Sequence, residues 1–210
     1  VHANASVTDK AKDIYMAMLN TAETVAERYG VSRDDMDAYG LQSQMRTAAA
    51  QEAGKFDDEI VAMTTVKQIA NKETRAVLEE EVTLAKDEGN RPSTNLDGLV
   101  GLKPVFEGGT ITAGNASQIS DGASAVIVTS QAKAEELGVT PLGEVVGYGQ
   151  VAGPDPSLLT QPARAIKQAA ERTGTAIGDI DLFELNEAFA AVGVASMEDP
   201  VSYTNLRAHG

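Results

Sequence analysis

A junction between an apolar strand and an alanine-rich helix is the part of the sequence best suited to carry chemistry. The run DLFELNEAFAAVGVASM extends from Asp181 to Met197, and its pattern predicts a strand that ends at Asn186 and a helix that begins there. An asparagine at this position caps the helix N–H groups, or its amide holds a water or an oxyanion at the sheet edge. Capping is the commoner role. We expect Glu187, in the first helical turn, to be structural.

A second run, GNASQISDGASAVIV beginning at Gly114, is rich in small residues and carries a hydroxyl at Ser117. Small residues let two backbone segments approach closely, either for packing or to admit a ligand. Packing is the more frequent cause. The segment LKPVFEGGTITAGNAS, from Leu102 to Ser117, leads into this run without a break.

These runs resemble signatures of the thiolase family, in the order in which that family has them. ELNEAFAAVGVASM resembles its Asn-Glu-Ala-Phe segment, and GNASQISDGASAVIV resembles a second signature. The part from Ile14 to Val61 is similar to the loop-domain helices of bacterial thiolases. The resemblance extends from about Asp9 to Asp199, which is nearly the whole chain.

The resemblance implies an α/β fold of the thiolase type, in which a loop domain precedes part of a second βαβ core half in an α/β/α layering. Residues 1–104 would be the end of the N-terminal half with its inserted loop domain. Residues 105–199 would begin the C-terminal core half, and residues 200–210 would be an atypical tail.

The resemblance also implies an acyltransferase. It would cleave 3-ketoacyl-CoA to acetyl-CoA and a shortened acyl-CoA, or run the reverse condensation, with coenzyme A as a substrate and no covalently bound cofactor. Ala17 stands where several biosynthetic members carry a histidine. This departure favours the degradative 3-ketoacyl group of fatty-acid β-oxidation.

By the same resemblance, Asn186 holds the water of an oxyanion hole, and Ser117 hydrogen-bonds the pantetheine arm of coenzyme A. Arg91 matches a cation near the nucleotide end of coenzyme A. The apolar neighbours of the pantetheine arm or of the acyl group are matched by Phe106, Met18 and Phe189. Taken without the resemblance, Arg91 is a solvated loop cation.

The sequence contains no cysteine, although thiolases are thiol enzymes. In family order, the nucleophilic cysteine precedes the segment that opens this chain, and the histidine and second cysteine follow the segment that closes it. We therefore expect an internal fragment that is inactive by itself. The alternatives are a non-catalytic module that binds coenzyme A or forms an oligomer interface, and a generic α/β core.

The last residues, PVSYTNLRAHG from Pro200 to Gly210, depart from the family pattern and resemble a translated sequencing adapter. We therefore expect no catalytic role for His209, and His2 lies in a terminus expected to fray. Two such histidines, without cysteines or a carboxylate cluster at ligand spacing, predict no metal site.

Composition argues against two classes of partner. The formal net charge of −14 is unfavourable for nucleic-acid binding, which usually needs a basic patch. No apolar run approaches the roughly 20 residues of a membrane span, and no charged and apolar leader is present, so we expect no membrane contact and a cytoplasmic location. Family resemblance implies a homo-oligomer, either a dimer or a tetramer.

Periodicity predicts two helices in the first quarter of the chain. The first covers residues 11–28 and is closed by Gly30 in a left-handed conformation. The second is capped by Ser32, runs to Ala53 and is stopped by Gly54.

The rest of the chain predicts shorter elements. Residues 56–66 are typical of a strand edge, and residues 67–75 of a charged connection followed by an exposed excursion to Pro92. After Thr110, strand and helix patterns alternate, which indicates a βαβ layout.

One glycine motif, from Gly147 to Ala152, fits the loose dinucleotide fingerprint, but no helix follows it, so we expect no nicotinamide site.

Overall fold

The computed structural model describes residues 3–120, 123–153 and 155–198, and helices are its main regular structure. The helices are α1 (Ala5–Thr8), α2 (Met18–Tyr29), α3 (Arg33–Glu52), α4 (Leu96–Val100), α5 (Gln131–Leu137), α6 (Gln161–Thr173) and α7 (Ala190–Glu198). Two strands, β1 (Met63–Ala70) and β2 (Val77–Leu84), form an antiparallel hairpin. Single 3₁₀ turns cover Leu158–Thr160 and Ile177–Asp179.

The hydrophobic core forms where α7 packs against α2 and α3. α7 consists largely of alanine, valine and glycine, so it can be buried on several sides at once. Val25 of α2 and Met36 of α3 are fully buried beside it. Because only 4% of the chain is aromatic, the core depends on close approach of helices. Gly193 permits that approach, since a Cβ there would lie 2.5 Å from the Tyr39 Cζ atom.

The ends of the first two long helices are largely as predicted, with one error. Gly30 closes α2 with a φ of 69°, and the Ser32 hydroxyl accepts a hydrogen bond from the Asp35 N–H at 3.1 Å as the cap of α3. The predicted start of α2 at residue 11 is wrong, because the helix begins at Met18. Ile14 and Tyr15 are exposed, so the missing turns have no packed face to stabilise them.

The hairpin lies where a strand edge at residues 56–66, a charged connection at residues 67–75 and an exposed excursion to Pro92 were predicted. The bounds of these predicted elements are therefore wrong. Its pairing runs from Met63 opposite Leu84 to Ala70 opposite Val77. Asn71 shapes the turn, because its Oδ1 atom accepts from the N–H groups of Glu73 and Thr74 at 2.9 Å. Both strands are exposed along nearly their whole length, and polar residues interrupt their apolar ones without a regular alternation, as in the three consecutive glutamates of β2. The period-two pattern that identifies a half-buried strand in a sequence is therefore absent.

The predicted βαβ alternation is confirmed for its helices and wrong for its strands. α5, α6 and α7 lie where helices were predicted, but within the described residues the only sheet is the β1–β2 hairpin. The segments predicted as strands leave Ile127, Val145 and Leu182 highly exposed. A strand is defined by its pairing with a neighbour, so an apolar run alone does not make one.

The glycines of the rejected dinucleotide motif serve close packing on α6. A Cβ at Gly147 would lie 2.3 Å from the Thr173 Cγ2 atom, and one at Gly149 would lie 1.9 Å from the Ala165 carbonyl oxygen. The guanidinium of Arg172 in α6 donates to the Tyr148 carbonyl at 2.9 Å, and the Arg172 Cζ atom lies 4.8 Å from the centroid of the Tyr148 ring. Residues 147–149 therefore lie against α6, and the turn at Leu158 separates them from its start.

Glu23 of α2 fastens the segment that leads to the candidate site. Its carboxylate accepts hydrogen bonds from the Thr110 N–H at 2.9 Å, the Thr110 hydroxyl at 2.7 Å and the Ile111 N–H at 2.8 Å. Ile111 is fully buried, so its N–H needs an acceptor within the protein, and Glu23 provides it. One side chain therefore satisfies two consecutive backbone donors and one hydroxyl of this segment.

We expect Glu23→Ala to lower the free energy of unfolding by about 2–4 kcal/mol, because it leaves at least one buried backbone donor without an acceptor. Urea unfolding of the 210-residue chain measures this. Glu27→Ala, an exposed glutamate one helical turn further along α2, is the matched control and should change stability by less than about 0.5 kcal/mol. Equal effects of the two substitutions would contradict the assignment.

Candidate functional site

A cleft of about 620 Å³ opens between α3, the loop at residues 114–118 and the segment at residues 183–187 that precedes α7. Its lining combines hydroxyl, amide and small residues with two carboxylates: Tyr39, Gly40, Ser43, Gln44, Thr47, Gly89, Asn90, Gly114, Asn115, Ala116, Ser117, Gln118, Phe183, Glu184, Leu185, Asn186, Glu187, Ala190, Gly193 and Met197. No lysine or arginine lines the cleft in the described part of the chain.

A buried polar network fixes one wall of the cleft, the loop at residues 114–118. Asp37 of α3 is fully buried, and its carboxylate accepts from the Arg33 Nε atom at 2.6 Å and from the Asn115 Nδ2 atom at 3.1 Å. Arg33 also donates to the Leu99 carbonyl at 2.6 Å. A buried carboxylate needs such partners to offset the loss of hydration, so the loop is held against α3.

Asn115 extends this network into the backbone of its own loop. Its Oδ1 atom accepts from the Thr112 N–H at 2.8 Å, and its Nδ2 atom also donates to the Thr110 carbonyl at 3.1 Å. The loop can approach α3 because residue 40 is glycine, where a Cβ would lie 2.9 Å from the Gly114 carbonyl oxygen. The small residues of the second motif thus serve packing at this point.

Two backbone hydrogen bonds join this loop to the start of α7. The Ser117 N–H donates to the Ala188 carbonyl at 2.9 Å, and the Ala190 N–H donates to the Asn115 carbonyl at 2.8 Å. Between them, Ala116 and Phe189 form an isolated antiparallel bridge. The two sequence motifs, far apart along the chain, therefore meet in a short piece of paired backbone.

Asn186 lies in the cleft, but it is not the cap of α7. The helix begins at Ala190, so the predicted N-cap position is wrong. The reason is the pairing just described, which takes the Ala190 N–H and holds residues 188–190 in a strand-like bridge before the helix starts. The Ala188 N–H donates to the Asn186 carbonyl at 2.9 Å, and Asn186 is exposed to the cleft.

Ser117 lies in the cleft with Asn186, whereas the other residues matched by resemblance do not line it. The Ser117 hydroxyl donates to the Gln118 carbonyl at 3.2 Å. Phe189 is 7% exposed and belongs to the core. Met18 is an exposed residue at the start of α2, and Phe106 is partly buried in the loop before Thr110.

Arg91 lies beside the cleft, next to its lining residue Asn90. Its backbone N–H donates to the Gln44 Oε1 atom at 2.8 Å, and the residue is exposed. The Asn90 amide donates to the Gln44 carbonyl oxygen at 2.8 Å and to the Gln44 Oε1 atom at 3.0 Å. Gln44 therefore fixes the loop at residues 89–91 against α3.

Glu187 precedes α7, which begins at Ala190, so its predicted place in the first helical turn is wrong. Its carboxylate is held by side chains of α3 and not by a helix dipole. Its Oε1 atom accepts from the Tyr39 hydroxyl at 2.7 Å, and its Oε2 atom accepts from the Ser43 hydroxyl at 2.8 Å. Burial, and then the hydrogen bond to Glu187, raise the pKa of Tyr39 well above its ordinary value of 10.0. The phenol therefore remains a donor to the carboxylate at neutral pH.

The polar face of α3 is the part of the site that sequence reasoning missed. Tyr39, Ser43 and Thr47 are spaced four residues apart and line the cleft together with Gln44. This spacing was visible in the sequence as a polar stripe on one face of a predicted helix. What the sequence did not show is the partner of that stripe, because Glu187 lies 148 residues after Tyr39.

The described residues contain no group of three histidine, cysteine, aspartate or glutamate side chains that could hold a metal ion. Likewise, no helix of the described chain is long and apolar enough to cross a membrane. His2, His209 and the atypical tail from Pro200 lie outside the described residues.

Comparison with known proteins places both motifs in one family. The profile of "Thiolase, N-terminal domain" matches residues 1–132, and that of "Thiolase, C-terminal domain" matches residues 139–206. The chain is 45% identical over 192 residues to the peroxisomal 3-ketoacyl-CoA thiolase A of Rattus norvegicus, covering 91% of this chain and 43% of the relative. It is 43% identical over 194 residues to the 3-ketoacyl-CoA thiolase of Bacillus subtilis, covering 91% and 49%. The chain thus spans less than half the length of these relatives.

Solved structures agree with the sequence matches. The human mitochondrial 3-ketoacyl-CoA thiolase superposes with a TM-score of 0.72 and 41% identity, over 84% of this chain and 42% of that one. The acetyl-CoA acetyltransferase of Bacillus anthracis superposes with a TM-score of 0.75 and 38% identity, over 94% and 49%. The predicted thiolase-type α/β fold is therefore confirmed, with the chain forming part of it.

The cytoplasmic location expected from composition is contradicted by these relatives. The rat protein and a 46% identical thiolase of Mus musculus are both named as peroxisomal. An organelle address is a short segment read by a receptor, so composition does not report it. Both profiles, the curated relatives and the solved structures lead to one conclusion: this chain belongs to the thiolase family.

Proposed function

We propose that this chain is part of a thiolase-type acyltransferase that cleaves 3-ketoacyl-CoA to acetyl-CoA and a shortened acyl-CoA, or runs the reverse condensation. Coenzyme A is its substrate, and no cofactor is covalently bound. The observation that carries the proposal is that Ser117 and Asn186, which come from two separate family motifs, line one cleft. The 210-residue chain is inactive by itself because it holds no cysteine.

The chemistry of the cleft supports a thioester and its pantetheine arm as the occupants. Its lining offers hydroxyl and amide groups with apolar neighbours, and among the described residues it holds no cation that would attract a phosphate. Arg91 is exposed beside the cleft, next to the loop fixed by Gln44. The proposed path of coenzyme A therefore has its reacting end inside the cleft near Asn186, its pantetheine arm near Ser117 and its phosphates outside near Arg91.

In the proposed reaction, a cysteine thiolate from outside these 210 residues attacks the 3-keto carbon. The bond between carbons 2 and 3 breaks, and the enolate of acetyl-CoA accepts a proton from an acid. The thiolate of a second coenzyme A then attacks the acyl-enzyme thioester and releases the nucleophile. Asn186 orients a water that donates a hydrogen bond to the developing oxyanion.

The roles of the apolar site residues, the reaction direction, the domain division and the oligomeric state are also proposals. Met18, Phe106 and Phe189 contribute apolar contacts, and the buried position of Phe189 gives it an indirect role, through packing under the loop that carries Ser117. The degradative direction follows from Ala17. The division near residue 105 and a homo-oligomeric whole enzyme follow from the family resemblance.

Asn186→Ala in the enzyme that contains this chain should lower kcat for thiolysis by about 10²-fold, the cost of losing one oxyanion-hole donor. The readout is the coenzyme A-dependent loss of a 3-ketoacyl-CoA substrate. Asn20→Ala, an exposed asparagine of α2, is the control and should leave kcat unchanged. An unchanged kcat for Asn186→Ala would remove this residue from the site.

A comparison of two expressed proteins tests the function itself. The 210-residue chain alone should show no thiolysis, and the product of the complete reading frame that encloses it should cleave 3-ketoacyl-CoA. Isothermal titration of both with coenzyme A completes the test. Binding by both without cleavage by either would favour a non-catalytic coenzyme A-binding module and would contradict the proposal.

A further inference from the structure

The segment that carries Asn186 lies outside the regular secondary structure. Residues 183–187 belong to neither a helix nor a strand, and Asn186 is exposed. On the C-terminal side, the segment is anchored by the pairing of residues 188–190 with residues 115–117. An oxyanion donor has to be held close to one geometry to be effective, so the exposed side of this segment needs a second anchor.

The carboxylate of Glu187 provides a second anchor, adjacent to Asn186 in sequence. It accepts from two hydroxyls on consecutive turns of α3, Tyr39 at 2.7 Å and Ser43 at 2.8 Å, one for each oxygen. Hydrogen bonds to a charged acceptor are stronger than neutral ones. Because the two donors are four residues apart on one helix, they fix both the position and the rotation of the carboxylate.

The Tyr39 donor is itself fixed by packing. Tyr39 lies against α7 at Gly193, where any side chain would overlap its ring: a Cβ there would lie 2.5 Å from Cζ and 2.6 Å from the hydroxyl oxygen. Burial, and then the hydrogen bond to Glu187, raise the pKa of Tyr39 above its ordinary value, which already keeps the hydroxyl protonated at neutral pH. α3 is held in turn by the buried contact between Asp37 and Asn115.

We propose that Glu187, clamped by Tyr39 and Ser43 of α3, is a positioning residue that sets the place of Asn186 in the cleft. Its catalytic consequence rests on the proposed thiolase function. The clamp, meaning the hydrogen bonds from Tyr39 and Ser43 to Glu187, does not depend on that function, because it is a property of the 210-residue chain. The two claims therefore have separate tests.

Hydrogen exchange on the 210-residue chain tests the clamp. Glu187→Ala, and the double substitution Tyr39→Phe with Ser43→Ala, should each raise the exchange of protected amides in residues 183–189, such as the hydrogen-bonded Ala188 N–H, by roughly tenfold, as expected for the loss of hydrogen bonds to a charged group. Exchange in α2 and α6 should not change. Tyr29→Phe, which removes a hydroxyl remote from the cleft, is the matched control and should leave residues 183–189 unaffected.

Two outcomes of that experiment would overturn the proposal. Unchanged exchange in residues 183–189 would show that the segment is held without the clamp. Equally faster exchange throughout α2 and α6 would show that Glu187 stabilises the whole fold and has no local positioning role. The double substitution guards against the second case, because it leaves Glu187 itself and the aromatic ring of residue 39 in place.

Kinetics on the enzyme that contains the chain test the consequence. The double substitution should lower kcat roughly tenfold and leave the KM for coenzyme A unchanged, since a displaced oxyanion donor acts in the transition state. An unchanged kcat with faster local exchange would overturn the positioning role. If the unsubstituted enzyme cleaves no 3-ketoacyl-CoA, the proposed function fails, and the exchange experiment still decides the clamp.

Discussion

The candidate site depends on one buried carboxylate. Asp37 is fully removed from water, and the two groups that satisfy it, the guanidinium of Arg33 and the amide of Asn115, belong to different parts of the chain. A buried charge without such partners would be strongly destabilising, so the fold has to bring Asn115 to α3. Ser117 follows two residues later, and the backbone pairing at Asn115 and Ser117 then places the Asn186 segment.

Small residues make this arrangement sterically possible. Gly40 lets the loop at residue 114 approach α3, and Gly193 lets the ring of Tyr39 lie on α7. A methyl group at either place would overlap backbone or ring atoms. The sequence allowed two interpretations of its small-residue motifs, packing or ligand access. In the structure these are linked, because the close packing forms the walls of the cleft.

Local features of the fold could be predicted from the sequence, because the relevant physics lies within a few residues. The Ser32 cap, the left-handed Gly30 and the stop of α3 at Gly54 are examples. Features that depend on distant partners were missed or misplaced. The capping role of Asn186 failed because Ala190 donates to Asn115, and the predicted strands failed because their pairing requires neighbours.

The candidate site also contains residues that could be predicted from the sequence and residues that could not. Ser117 and Asn186 were found because family motifs name them, and their shared cleft supports that choice. Tyr39 and Ser43 were missed because nothing local distinguishes a functional hydroxyl on a helix from a solvated one. Their meaning comes from a carboxylate 148 residues after Tyr39. Four other matched residues lie outside the cleft lining, and their roles stay predictions.

The contact between Asp37 and Asn115 holds the two walls of the cleft, α3 and the loop at residues 114–118, together. A double-mutant cycle of Asp37→Ala and Asn115→Ala, measured by urea unfolding of the 210-residue chain, tests this most directly. We expect a coupling free energy of about 1–3 kcal/mol, because the two residues share one buried network. Additivity within about 0.5 kcal/mol would show that the two side chains act independently and that their contact does not hold the walls together.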